Sequence, residues 1–244
     1  MGAFDFKLAR VCQEGLLEFE VRLRAAIADS LASKNVAAHA SKEFLDAQSC
    51  DKAAGEHTKF DAWTKTWREA VTSGAEDEDF IKHHLLKYPE QDVPIWAVTE
   101  VLSFGNLPFL YDLMQTPDAR SVARMFGFAH PSRFGAVLRM MVDFRNTCAH
   151  GSRLFNRAFK RPLSLREHDT ASELLAHLLE PGFTVTPKAH QRLYIYAGVP
   201  VLFPKVPVTV NRVQGLGFHR SKSDQRAGKP ILTSGEMSSE PSGA

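Results

Sequence analysis

A histidine, an amide and three arginines lie within thirteen consecutive positions of the 244-residue chain: Arg145, Asn146, His150, Arg153 and Arg157. Histidine changes protonation near neutral pH and can accept or donate a proton in a reaction. Guanidinium groups bind phosphate in a planar fork and stabilise negative charge that develops at phosphorus. Since RNA carries its own nucleophile, the 2′-hydroxyl, this set is sufficient for metal-independent RNA cleavage. It is equally sufficient for binding RNA without cleavage.

A helix from about Pro131 onward is expected to position this group. At 100° per residue, its apolar residues Val137, Met141, Phe144 and Cys148 fall on one side, which predicts a buried face. Because buried free cysteine behaves as a small apolar residue, we interpret Cys148 as packing rather than as a nucleophile.

The polar residues allow two arrangements. If the helix continues past Gly151, then Asn146, His150, Arg153 and Arg157 form one cationic stripe opposite the core. A break at Gly151 would instead bring His150 toward Arg145, which lies to one side of the stripe. For any one of these side chains, a solvated helix face is an alternative interpretation.

Charge is unevenly distributed, although the formal net charge is only +2. Residues 43–100 hold 13 Asp and Glu against 6 Lys and Arg, whereas residues 120–166 hold 10 Lys and Arg against one acid, Asp143. Nine of those ten cations are arginine. This block indicates either a polyanionic partner or a solvated face that pairs with the acidic half of the chain.

Helical periodicity extends over most of the chain and predicts an all-α fold. A long amphipathic helix is expected over about 4–33, and shorter ones over 41–48, 57–72 and from about 80 to 86. Gly74 suggests a helix end, and the three tryptophans fall at core positions. Further helices are expected after Pro94, over 107–114, from Pro117 to about 126, and over 166–179. Residues 181–218 are rich in proline and predict an irregular extension, and residues 219–244 predict a disordered tail.

Several classes of protein are disfavoured. No run of about 18 uncharged apolar residues predicts a membrane span, and the first residues do not resemble a signal peptide. Cys12, Cys50 and Cys148 are too far apart for a CxxC metal site, and their odd number argues against a disulfide framework. Neither nucleotide-binding glycine motif, GxxxxGK[ST] or GxGxxG, is present. We therefore expect a cytoplasmic protein that needs no cofactor.

Three blocks, in this order along the chain, resemble the Abi-like abortive-infection family (AbiD/AbiF type). The first comprises Phe4-Asp5 and the segment from Glu20 to Ala25, and the second runs from Pro94 through Glu100 to Tyr111. The third is RNTCAHGSRLFNR at 145–157, which matches the family pattern RNxxAHxxRLxNR. Together they cover roughly residues 4–160.

The resemblance implies a HEPN-like helical bundle over residues 1–180. HEPN domains commonly pair, so that two Arg-x4-His motifs meet and form a metal-independent ribonuclease site. By this resemblance Arg145 and His150 are the central catalytic pair and Asn146 is the polar residue beside them. Residues Arg153, Asn156 and Arg157 extend the RNA-binding surface.

Glu100 lies in the second block, where it would orient the arginine or histidine, or else act as a surface or structural ion-pair partner. The implied role is RNA cleavage in phage defence or in a toxin–antitoxin system, by a homodimer restrained by an antitoxin RNA or protein. A non-catalytic RNA-binding or sensor module is the alternative, and a helical scaffold with no RNA affinity is a third class.

Overall fold

The computed structural model describes residues 2–154 and Arg157, and eight α-helices account for most of this part of the chain. The predicted all-α fold is therefore confirmed within these residues. The expected helix at 166–179, the proline-rich extension and the tail lie outside them. The helices are α1 Ala3–Ala32, α2 Ala47–Cys50, α3 Lys59–Asp77, α4 Asp79–Lys87, α5 Ile95–Val101, α6 Leu107–Leu113, α7 Thr116–Met125 and α8 Pro131–Ala149.

Helix α1 runs through the core, and one side of it is buried along most of its length. It packs against α5, α7 and α8. Phe19, in the middle of α1, is fully buried and meets the rings of Phe104, Phe126 and Phe134 edge-on, at centroid distances of 6.2, 5.1 and 6.4 Å. This aromatic cluster joins α1 to α8 and to the residues that flank α5 and α7.

The expected helix at 41–48 is wrong, because the chain divides there into two short pieces. Ser41 caps a 3₁₀ turn, Lys42–Phe44, and Asp46 caps α2, each through a side-chain oxygen that accepts a backbone N–H. Between them Leu45 is extended and forms a bridge with Met114. These local caps compete with a continuous helix. A two-residue hairpin, Ala53–Ala54 with His57–Thr58, follows before α3.

Gly74 does not end a helix, which corrects the sequence interpretation. Helix α3 continues through it to Asp77, and Gly74 is buried against α5. A Cβ atom at position 74 would lie only 2.6 Å from Cγ1 of Val101. The glycine therefore permits the close approach of α3 and α5, and the helix ends later, at the acidic run.

Two of the three tryptophans are core residues, as expected, and one is not. Trp63 and Trp67 on α3 are buried, whereas Trp96 on α5 is 50% exposed. The short α5 buries Ile95, Ala97, Val98 and Thr99, which leaves position 96 on its outer side.

The three cysteines are free, as their number and spacing predicted, and all three are buried. No helix among the described residues has both the length and the apolar character needed to cross a membrane.

Candidate functional site

Helix α8 carries the central residues of the predicted site. It begins at Pro131, whose ring suits the first helical position, and it extends for 19 residues. Its apolar side packs in the core through Val137, Met141, Phe144 and Cys148, which are all buried. The predicted burial of Cys148 is confirmed, and the opposite side of its last turn is left to polar residues.

The helix ends just before His150, and the continuous cationic stripe is therefore not formed. Gly151 has φ +60°, its N–H donates to the carbonyl of Cys148, and the N–H of Ser152 donates to the carbonyl of Thr147, both at 3.2 Å. These two bonds form a Schellman cap, which requires a left-handed residue that glycine adopts at little cost. The helix therefore breaks at Gly151, as the second alternative required, whereas the approach of His150 to Arg145 stays a prediction.

Arg145 lies half-buried on the last turn of α8, with its side chain 39% exposed. Its Nη1 donates to Oδ1 of Asn146 at 3.1 Å, and its Nη2 lies 4.0 Å from Oε2 of Glu20 on α1. The second distance is at the outer limit of an ion pair, and for a partly exposed pair it contributes at most about 1 kcal/mol. The guanidinium is thus held in place but remains available to an anion from the solvent side.

Glu20 is itself fixed by a second arginine. Nη2 of Arg24, one turn along α1, contacts Oε1 of Glu20 at 2.5 Å, and both side chains are nearly buried. Nη1 of Arg24 donates to the backbone carbonyls of Thr99 and Glu100, the latter at 3.3 Å. Because these carbonyls belong to the last turn of α5, a cation there is favourable for the helix dipole.

These contacts join α1, α5 and α8 through a chain of three side chains: Arg24, Glu20 and Arg145. Oε1 of Glu20 contacts Arg24, and Oε2 of Glu20 faces Arg145. Glu20 and Arg24 lie in the first of the three sequence blocks described above, but the sequence predicted a role for neither. The available signal was their i, i+4 spacing beside the apolar face of α1, which is typical of a carboxylate–guanidinium pair.

His150 is exposed at the C-terminal cap of α8. Its backbone N–H donates to the carbonyl of Asn146 at 3.0 Å. The side-chain amide of Asn146 contacts Arg145 rather than the imidazole of His150. Asn146 therefore contacts Arg145 through its side chain and His150 through its backbone carbonyl. The described contacts show no direct bond between the imidazole and the guanidinium.

The other predicted residues occupy the surface around this helix end. Arg153 and Arg157 are exposed. Between them, Leu154 is buried, and its N–H donates to Oδ1 of Asp5 at 3.0 Å, which ties the segment to the start of α1. Glu100 is exposed and contributes its backbone carbonyl to Arg24. Asn156 lies outside the described residues.

The arrangement can bind an anion and exchange a proton beside it. Arg145 is oriented by two acceptors on one side and faces solvent on the other, and an exposed imidazole follows at the helix end. Among residues 2–154 and 157, no group of three or more histidine, cysteine or acidic side chains could hold a metal ion.

A protein-family model described as Abi-like protein matches residues 1–156. The match includes α1 to α8 and the helix end with Arg145 and His150. No curated protein and no solved structure matches the chain.

Proposed function

This chain belongs to the Abi-like protein family, and we propose that it is a metal-independent endoribonuclease of abortive infection or of a toxin–antitoxin system. The observation that carries the proposal is the helix end at residues 145–151. There a partly exposed guanidinium, held by Glu20 and Asn146, lies on the turn that leads to an exposed imidazole. The family match indicates the defence context, and the side-chain chemistry indicates the reaction.

In the proposed reaction, Arg145 binds a non-bridging oxygen of the scissile phosphate. His150 takes the proton of the 2′-hydroxyl, and the 2′-oxygen attacks phosphorus while the bond from phosphorus to the 5′-oxygen breaks. The leaving 5′-oxygen receives a proton from an imidazolium. The products carry a 2′,3′-cyclic phosphate and a 5′-hydroxyl. Arg145 stabilises the additional negative charge of the pentacoordinate transition state.

A pair of chains is part of the proposal, because the helix end at residues 145–151 carries one imidazole, that of His150, and the reaction moves two protons. The outer side of α1 offers an apolar surface for this pairing. Leu17 and Val21 are exposed there, one turn before Glu20 and directly after it. Because Glu20 lies beside Arg145, a second copy that covers this surface would lie next to the last turn of α8. Replacing both by glutamate is expected to give a monomer in a solution-mass measurement, with cleavage strongly reduced.

A non-catalytic RNA-binding or sensor module is the second candidate. The partly exposed Arg145 and the exposed Arg153 and Arg157 favour it, since binding needs cationic side chains but no contact between the imidazole and the guanidinium. In the nuclease role a partner, such as an antitoxin RNA or protein, would restrain the activity.

The deciding experiment measures cleavage of single-stranded RNA in excess EDTA by the wild type, His150→Ala and Arg145→Ala. We expect each substitution to slow cleavage by at least about 100-fold, because general acid–base and electrostatic groups each contribute on that scale. His83→Ala and Arg68→Ala, which change exposed residues on α4 and α3, are the matched controls and should leave the rate unchanged. Wild-type protein that binds RNA without cleaving it would establish the second candidate instead.

A further inference from the structure

The arginine-rich block divides into paired and unpaired side chains once the fold is known. Arg139 contacts both carboxylate oxygens of Asp112, at 3.0 and 2.8 Å, and Arg145 faces Glu20. Arg120 and Arg124 are different, because both are exposed on the outer side of α7 and no acidic partner is found for them among the described residues.

The nearest acid along α7 is not available to these arginines. Asp118 is engaged by Lys34 of the α1–α2 connection, whose Nζ lies 2.6 Å from Oδ2. The positive charge of Arg120 and Arg124 is therefore not neutralised by their own helix.

An open depression of about 540 Å³ lies on this side of α7. Its lining combines the two guanidiniums with one hydroxyl and two apolar side chains: Pro117, Arg120, Ser121, Arg124 and Met125. Met125 is 66% exposed, so its side chain is accessible beside the two guanidiniums. Guanidiniums suit phosphate oxygens, and an adjacent apolar side chain suits the face of a base or a ribose.

The end of α7 is rigidly connected to the helices of the candidate site. The ring of Phe126, directly after Met125, packs against Phe19 at 5.1 Å and stacks on Phe134 at 4.9 Å. Phe19 precedes Glu20 on α1, and Phe134 lies on α8. The hydroxyl of Tyr111 also donates to the carbonyl of Ala119 on α7, at 2.8 Å.

We propose that the outer face of α7 is a second RNA-binding site, at which Arg120 and Arg124 bind backbone phosphates of the same strand that Arg145 engages. This inference rests on the proposed function, because it assumes an RNA substrate. The α7 site binds phosphates of the strand that lie beyond the scissile linkage. The site holds phosphates without reading sequence, since its charged groups are directed at the backbone.

The test uses a fluorescent single-stranded 2′-O-methyl RNA, which lacks the nucleophile and is therefore bound but not cleaved. Its dissociation constant is measured from about 50 to about 200 mM NaCl for the wild type and for Arg120→Gln/Arg124→Gln. We expect weaker binding and a slope of log Kd against log salt that is shallower by about 1.4, since each phosphate contact contributes about 0.7 for a single strand.

Lys65→Gln/Arg68→Gln is the matched control. It removes the same charge from the exposed side of α3, where Lys65 faces Glu69 one turn away and Arg68 lies over the ring of Trp67. Its slope should stay close to that of the wild type. Arg120→Glu/Arg124→Glu should weaken binding further, and circular dichroism checks that each variant is folded.

The possible failures can be told apart. If the wild type binds RNA with a clear salt dependence and the α7 variants keep both its Kd and its slope, the α7 site is refuted, and an acidic protein becomes the better partner for this face. If the wild type binds no RNA even at low salt, both the site and the proposed function are refuted.

Discussion

Replacing His39 by phenylalanine is expected to make the free energy of unfolding less sensitive to acid. His39 lies on the 3₁₀ turn Ala38–Ala40 and is fully buried. Its ring meets that of Trp67 edge-on at a centroid distance of 4.9 Å. Neither ring nitrogen has a hydrogen-bond partner among the described residues. Burial without such a partner disfavours the charged imidazolium, and it lowers the pKa of His39 from 6.5 to about 4.

The sign and size follow from linkage. Below about pH 6.5 the unfolded chain binds a proton at His39, whereas the folded chain does not until about pH 4. The free energy of unfolding therefore falls by about 1.4 kcal/mol per pH unit across this interval. Over the whole interval the free energy of unfolding falls by about 3 kcal/mol. About 2 kcal/mol of this loss occurs between pH 7.5 and about pH 5.

The assay is urea denaturation of the wild type and of His39→Phe at both pH values. At the higher pH the two should differ little, because the substitution breaks no side-chain hydrogen bond and keeps an aromatic ring against Trp67. At the lower pH the variant should be more stable than the wild type by about 2 kcal/mol. His39→Leu provides a smaller apolar replacement if phenylalanine overpacks the site, and His83→Gln changes an exposed histidine as the control.

The comparison between variants removes the contribution of the carboxylates, which titrate in both proteins. If the wild type and both His39 variants lose the same free energy of unfolding between the two pH values, the imidazole is solvated or paired in the folded protein. The reasoning from burial would then be refuted. A His83 variant that lost the acid sensitivity would contradict it equally.

Three further predictions concern the packing and the candidate site. Gly74→Ala should destabilise the protein by about 1–3 kcal/mol through overpacking against Val101, despite better helix propensity, and adding Val101→Ala should restore most of the loss in urea denaturation. Gly151→Ala should lower the free energy of unfolding by about 1–2 kcal/mol because the residue has a positive φ. Gly151→Asn should lower it less, and thermal unfolding of the two variants measures the difference. Glu20→Gln should lower the free energy of unfolding by about 1–3 kcal/mol, because it removes one charge of a nearly buried ion pair, while Glu18→Gln on the exposed side of α1 should change it by less than about 0.5 kcal/mol.

Much of the fold could be predicted because helical periodicity is a local signal. The bounds of α1, α6 and α7 lie within a residue or two of the expected ones, and proline marked the starts of α5, α7 and α8. Local caps at Ser41 and Asp46 caused the error at 41–48, and the error at Gly74 arose because glycine has two uses. Gly74 is compatible with a helix end and with close helix packing, and only the position of Val101 decides between them.

The candidate site likewise has one part that the sequence predicted and one part that it did not. The residue types and their order at 145–157 indicated phosphate chemistry, and the two outcomes at Gly151 could both be stated in advance. Nothing local, however, reveals that Glu20, 125 positions earlier, would face Arg145. That contact depends on how α1 and α8 cross, which is a property of the packed core.

The sequence by itself determined most of the helices, the buried side of α8 and the set of groups available for chemistry, because each follows from the identity and spacing of neighbouring residues. The tertiary structure alone decided which charges are compensated. Arg139 and Arg145 face carboxylates from other helices, whereas Arg120 and Arg124 remain on an open surface. Electrostatic energy depends on distance in space and on burial, and neither quantity is set by separation along the chain.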